Sequence, residues 1–74
     1  MRIRYVLCSR SFASGTAYGI RAVAVSAGRS AALCAFHDLC ADEDSVRELI
    51  RKCNAGRLSL CHLRDVIDDF LAAL

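Results

Sequence analysis

Three groups of side chains in this sequence have the types and spacing to do chemistry. Cys34, His37 and Cys40 recur at three-residue intervals, and Cys61 with His62 could add a fourth donor. Zinc accepts thiolate and imidazole ligands when four converge in a tetrahedron. The set contains no C-x2-C pair, however, and a strand through residues 34–37 would send Cys34 and His37 to opposite faces. Cys34 is therefore expected to pack as a small apolar residue, and neither a metal nor another cofactor is expected. His62, Asp65 and Asp69 sit at i, i+3 and i+7, on one side of a helix. An imidazole with a carboxylate one turn away can serve as an oriented general base or as two metal ligands. No nucleophile accompanies them, so a solvated polar face is the better description and a small metal-dependent or His/Asp enzyme the third choice of function. Cys61 falls in the first turn of the same helix, where the helix dipole would favour a thiolate. A reactive role also needs exposure and a resolving partner.

Anion chemistry is the remaining possibility. The stretch Arg10-Ser11-Phe12-Ala13-Ser14-Gly15-Thr16 offers hydroxyls, a glycine and a guanidinium, but it opens no helix and lacks a P-loop lysine. It reads as a flexible connection. Charge is also divided along the chain. Residues 1–37 hold Arg2, Arg4, Arg10, Arg21 and Arg29 with no acid, giving +5; residues 38–74 hold all eight acids against five basic residues, giving −3. Two consequences compete: the halves attract each other within one fold or between subunits, or the basic sheet surface meets nucleic acid or another anion. The arginines are scattered rather than clustered, which favours the first.

The elements that must position these residues are legible from period. Arg2 to Cys8 alternates, with Ile3, Tyr5 and Leu7 on one face and arginines on the other, as in a half-buried strand. Residues 9–16 read as a loop, and Tyr18 to Val25 is rich in β-formers. Ser26-Ala27-Gly28-Arg29 is a short turn with glycine available for positive φ. The segment from Ser30 to Phe36 has an alanine-rich centre that suits a helix on propensity alone. A short turn after a strand most simply returns an antiparallel partner, so a third strand is expected. From Asp42 the period changes: Val46, Leu49, Ile50 and Cys53 make one helical stripe. Asp42, Glu43 and Asp44 complement the helix start, and Arg51 and Lys52 its end. Gly56 suits the left-handed position that closes the helix. Ser59 is the expected N-cap of a second helix with the stripe Leu63, Val66, Ile67, Phe70, Leu71 and Leu74. The predicted fold is α+β: a three-stranded antiparallel meander (about 2–8, 18–25 and 30–36), then a helical hairpin (about 42–54 and 60–73) on one face.

Seventy-four residues make a single domain, 1–74, with little room for a deep active site. No apolar run approaches the roughly 18–20 residues that span a bilayer. The start, Met1 to Arg10, lacks the apolar core and cleavage site of a signal peptide. A cytoplasmic location is expected, where the five cysteines would be reduced thiols.

Several segments resemble a known group in order and spacing. Tyr18-Gly19-Ile20, Asp38-Leu39-Cys40-Ala41-Asp42, Cys53-Asn54, Leu58-Ser59 and the run His62-Leu63-Arg64-Asp65-Val66-Ile67-Asp68-Asp69-Phe70-Leu71 resemble a family of small uncharacterised proteins of clostridia and related Firmicutes, a domain of unknown function. The resemblance covers roughly residues 18–71. The family usually carries serine where Cys40 stands and proline where Leu60 stands. It implies the fold and assigns no activity. The function expected first is a non-enzymatic module that binds a protein partner or its own copy, the latter as a homodimer, through a sheet edge or the acidic helix surface. Nucleic-acid binding through the arginines comes second.

Overall fold

The computed structural model describes Arg2–Leu74. Three strands, β1 (Arg2–Phe12), β2 (Gly15–Ser26) and β3 (Arg29–Cys40), form one antiparallel sheet in the order β1-β2-β3. Helix α1 (Glu43–Ala55), a 3₁₀ turn at Leu60–His62 and helix α2 (Leu63–Ala72) follow. The meander and the helical hairpin are as the sequence predicts, and residues 30–36 are strand. Alanine's helix preference there gives way to pairing with β2, which the preceding turn imposes. Ala27 and Gly28 take φ of 50° and 77° between the paired Ser26 and Arg29. Two positive φ values in a two-residue loop make the type I′ turn, whose twist matches that of the strands it joins.

The strands run longer than their apolar patterns. β1 and β2 stay paired from Arg2↔Val25 to Phe12↔Gly15, so residues 9–16 are a strand-paired hairpin tip with a two-residue turn rather than a loop. That tip projects past the helices. With nothing to cover it, its residues need no apolar face, and the sequence loses its strand period there while the ladder continues. The molecule's 40 Å long axis matches strands of this length at about 3.3 Å per residue.

β3 departs from regular pairing twice. Leu33 is an extra residue between the pairs Ala22↔Cys34 and Val23↔Ala32. Further on, the pairs Ile20↔Phe36 and Tyr18↔Cys40 leave His37, Asp38 and Leu39 opposite Gly19 alone. Asp38 is left-handed there, at φ 59°. The bulge brings β3 against β2 so closely that a Cβ on Gly19 would run into the Phe36 carbonyl oxygen and lie 3.0 Å from the His37 Cα. Only glycine fits between Tyr18 and Ile20.

One core joins the layers. Tyr5, Ile20 and Ala22 from the sheet meet Val46, Leu49, Ile50 and Cys53 of α1 and Leu63 and Ile67 of α2. The α1 stripe is entirely buried, as predicted. The α2 stripe is narrower than predicted: Val66 and Phe70 are half-buried, and Leu71 and Leu74 are 42% and 67% exposed. The helix starts later too, because Leu60–His62 forms a 3₁₀ turn capped by Ser59 without a side-chain hydrogen bond. The end of α1 also differs from expectation. Leu58 N–H donates to the Cys53 carbonyl and Arg57 N–H to that of Asn54, a Schellman closure. Its left-handed residue is Arg57, at φ 50°, and Gly56 before it is right-handed at φ −83°.

Candidate functional site

Strand alternation sorts the arginines. Buried Tyr5, Ile20 and Ala22 point to the helices, so their neighbours in sequence point away. Arg2, Arg4, Val6, Cys8 and Arg10 of β1 share that far face with Gly19, Arg21, Val23 and Val25 of β2, paired as Arg4↔Val23 and Val6↔Arg21. Among the described residues no element covers this face. Arg2, Arg4 and Arg21 are exposed around Val6, Val23 and Val25, which are half-buried by their neighbours. Arg29, opposite Ser26 at the β2–β3 turn, lies on the other side. The acidic half of the chain therefore does not neutralise the basic half by packing on it. The helices cover the face that carries no arginine until the turn. Among the described residues one ion pair bridges the two halves, Arg10 to Asp38 at 3.3 Å, and the same guanidinium lies 5.7 Å from the centre of the Phe12 ring.

The edges of the sheet are guarded by different devices. On β1, the Asn54 side chain accepts from Tyr5 N–H and donates to Tyr5 C=O, each at 2.8 Å. The amide imitates one residue of a further strand and closes the edge at that point. Tyr5 is also anchored by its hydroxyl, which donates to the Leu58 carbonyl at 2.7 Å. On β3, the two bulges and left-handed Asp38 break the run of main-chain groups that a new strand would need. The sheet-edge form of the interaction expectation thus meets a guarded edge on both sides.

The chemical candidates are spread out. His62 and Asp65 stand at the start of α2 and Asp69 further along, all exposed. They face solvent and line neither of two surface grooves. Cys61 is exposed within the 3₁₀ turn, ahead of the α-helix rather than in its first turn. His37 places Nδ1 3.7 Å from Cys8 Sγ on the open face, a pairing across β2 that the bulge creates and that spacing in the sequence could not reveal. Cys40 Sγ accepts from Asp42 N–H at 3.3 Å instead. Among the described residues, no three His, Cys, Asp or Glu side chains gather as metal ligands. The Arg10–Thr16 stretch is a paired hairpin tip whose guanidinium is engaged by Asp38. Of the two grooves, one of about 660 Å³ lies beside β1, lined by Arg2, Ile3, Arg4, Asn54, Arg57, Leu58 and Ser59. The other lies on the helical side, between Asp44, Glu48, Lys52 and Phe70. Among the described residues no helix is long and apolar enough to cross a membrane.

These features define a small α+β domain: a helical hairpin on one face of a three-stranded meander whose other face is uncovered and basic. The chain belongs to a family of unknown function (DUF6514), which it matches over residues 1–73. No curated protein and no solved structure matches it significantly.

Proposed function

We propose that the protein is a non-enzymatic interaction module whose uncovered sheet face docks an acidic protein surface. The observation that carries this reading is the alternation of Arg2, Arg4 and Arg21 with Val6, Val23 and Val25 on a face that none of the described elements covers. Arginine interleaved with apolar side chains suits a protein interface, where it contributes both planar hydrogen bonding and contact area. Charge complementarity selects the occupant. A second copy laid sheet to sheet would bring two basic faces together, and that repulsion disfavours it. An acidic surface with an apolar centre matches both the guanidinium groups and the valines.

Nucleic acid is the second reading, because the same arginines could contact phosphates. It lacks the aromatic platform on which single strands stack. Tyr5 is buried in the core, Tyr18 lies on the same helix-facing side of the sheet, and Phe12, which alternation places on the open face, is alone at the hairpin tip beside Arg10. A titration of labelled protein followed by amide resonances separates the two. An amphipathic glutamate-rich peptide should shift Val6, Arg21 and Val23 saturably, and an oligonucleotide should produce weak, diffuse shifts that vanish as salt is raised. Tight, discrete oligonucleotide binding with no response to the peptide would reverse the order.

A further inference from the structure

The groove beside β1 has its own chemistry. Its charged lining is three guanidinium groups, Arg2, Arg4 and Arg57, with no carboxylate. Among the described residues none of the three is in an ion pair; the arginines that are paired are Arg10, Arg47 and Arg51. Cations left together without counter-charge raise the potential of a concave site and favour an anion there. Two neutral donors join them. The Ser59 hydroxyl makes no capping bond with the turn it precedes. Tyr5 turns its N–H outward to Asn54, so Ile3, two residues earlier on the strand, turns its N–H the same way, into the groove that it lines. Arg57 is the less expected member. It occupies the left-handed closing position of α1, which glycine would take without strain, and its side chain is delivered to the groove from there.

We infer that this groove is a binding site for a phosphate monoester carried by a small molecule. Three unpaired guanidinium groups exceed what a single carboxylate can neutralise, whereas a phosphate monoester carries about −1.5 to −2 at neutral pH and three acceptor oxygens. Arginine forks match those oxygens in pairs. The volume of about 660 Å³ falls among small-ligand sites. Of the lining residues only Ile3 and Leu58 are apolar, so the phosphate dominates recognition and the rest of the ligand adds little. The site shares Arg2 and Arg4 with the rim of the open sheet face but not Arg57 or Ser59, and its existence does not depend on a protein partner.

The test uses the whole chain with inorganic phosphate, a sugar phosphate and a nucleoside monophosphate as probes, and acetate as the control. Binding is followed by amide shifts at Ile3, Arg57 and Ser59 and by thermal stabilisation. All three phosphates should bind saturably at these residues, the organic esters at least as tightly as inorganic phosphate, with no saturable effect of acetate. Arg57→Gly removes the guanidinium while relieving the left-handed backbone, so it should fold more stably and bind phosphate about tenfold or more weakly. Ser59→Ala should weaken binding more modestly. Arg21→Glu, on the open face outside the groove, should leave phosphate binding within about twofold and is the variant that disables protein docking. An adventitious response, in which phosphate and acetate act alike or Arg57→Gly binds phosphate as well as the parent chain, would overturn the assignment.

Discussion

The side chain of Asn54 closes the edge of β1 by pairing with both main-chain groups of Tyr5, and that single residue ties the end of α1 to the sheet. Two links follow from the one contact. The Tyr5 ring reaches the core, and its hydroxyl holds the Leu58 carbonyl in the connection between the helices. Position 54 thus governs both stability and the freedom of an edge strand to pair.

Asn54→Ala should cost about 1–2 kcal/mol, because it removes two hydrogen bonds at a site that water partly reaches. For a domain this small that is a fall in Tm of roughly 4–15 °C. The exposed edge should also show as concentration-dependent association in size-exclusion chromatography, which a purely destabilising core substitution would not produce. Unchanged Tm and elution would mean that the clamp contributes nothing.

Gly19→Ala should be far more damaging than its size suggests. The added methyl meets main-chain atoms of Phe36 and His37, which cannot rotate aside. A loss of about 2–3 kcal/mol is expected, measured by urea unfolding. A cost under half of that would show that the β3 bulge is pliable.

Ala27→Asn should stabilise the protein by about 0.5–1 kcal/mol, since asparagine tolerates the left-handed backbone of the type I′ turn better than alanine. The relevant observation is φ 50° at this residue. The same urea titration reads the result, and a destabilised variant would mean that the turn is of another type.

Alkaline pH should destabilise the protein through two buried acids. Burial, with a lesser contribution from the thiols of Cys53, Cys34 and Cys61, raises Tyr5 above its usual 10.0. Burial likewise raises Cys53 above 9.0. Each is neutral when protonated, and the unfolded chain gives up its protons at lower pH than the folded one. Their contribution is therefore complete below about pH 9 and is lost as pH rises through the raised values, at no more than about 1.4 kcal/mol per unit for each group. Tyr5→Phe should lower stability below about pH 10 by the bond to Leu58, and the deficit should shrink above it because the variant lacks the tyrosine's share of the decline.

Thiol reactivity should follow exposure. Cys61 is expected to be alkylated first, the half-buried Cys8, Cys34 and Cys40 later, and buried Cys53 only on unfolding. Mass spectrometry after a brief pulse of dilute iodoacetamide gives the order. Equal labelling of all five would contradict the packing of the α1 stripe.

Much of this fold could be read along the chain because the buried faces follow strict periods. Ile3, Tyr5 and Leu7 alternate, Val46 to Cys53 turns at the helical spacing, and both registers reappear as core in the structure. The hairpin tip at residues 9–16 was illegible as strand because nothing packs on it. The β3 bulges were invisible for a different reason: they are set by pairing across strands, and Gly19 marks only the second of them in the sequence. Gly56 was the natural choice for the left-handed cap, yet the helix runs one residue further and Arg57 takes that position. Contacts between distant segments, such as Tyr5 with Asn54 and Cys8 with His37, leave no periodic trace. The sharing of one open face by Arg2, Arg4, Arg10 and Arg21 does follow from alternation, but only once the register of β1 against β2 is known.

The central claim is that the open sheet face docks an acidic protein surface, and site-specific photo-cross-linking in the producing cells tests it most directly. A cross-linking residue at Val23, at the centre of that face, should capture a discrete partner whose cross-linked peptides are acidic. The capture should disappear when Arg4→Glu and Arg21→Glu are introduced together, with the fold intact, and a cross-linker at Leu71 on the helical side should not reproduce it. Capture from Val23 that survives both charge reversals, or that yields nucleic acid instead of protein, would contradict the account.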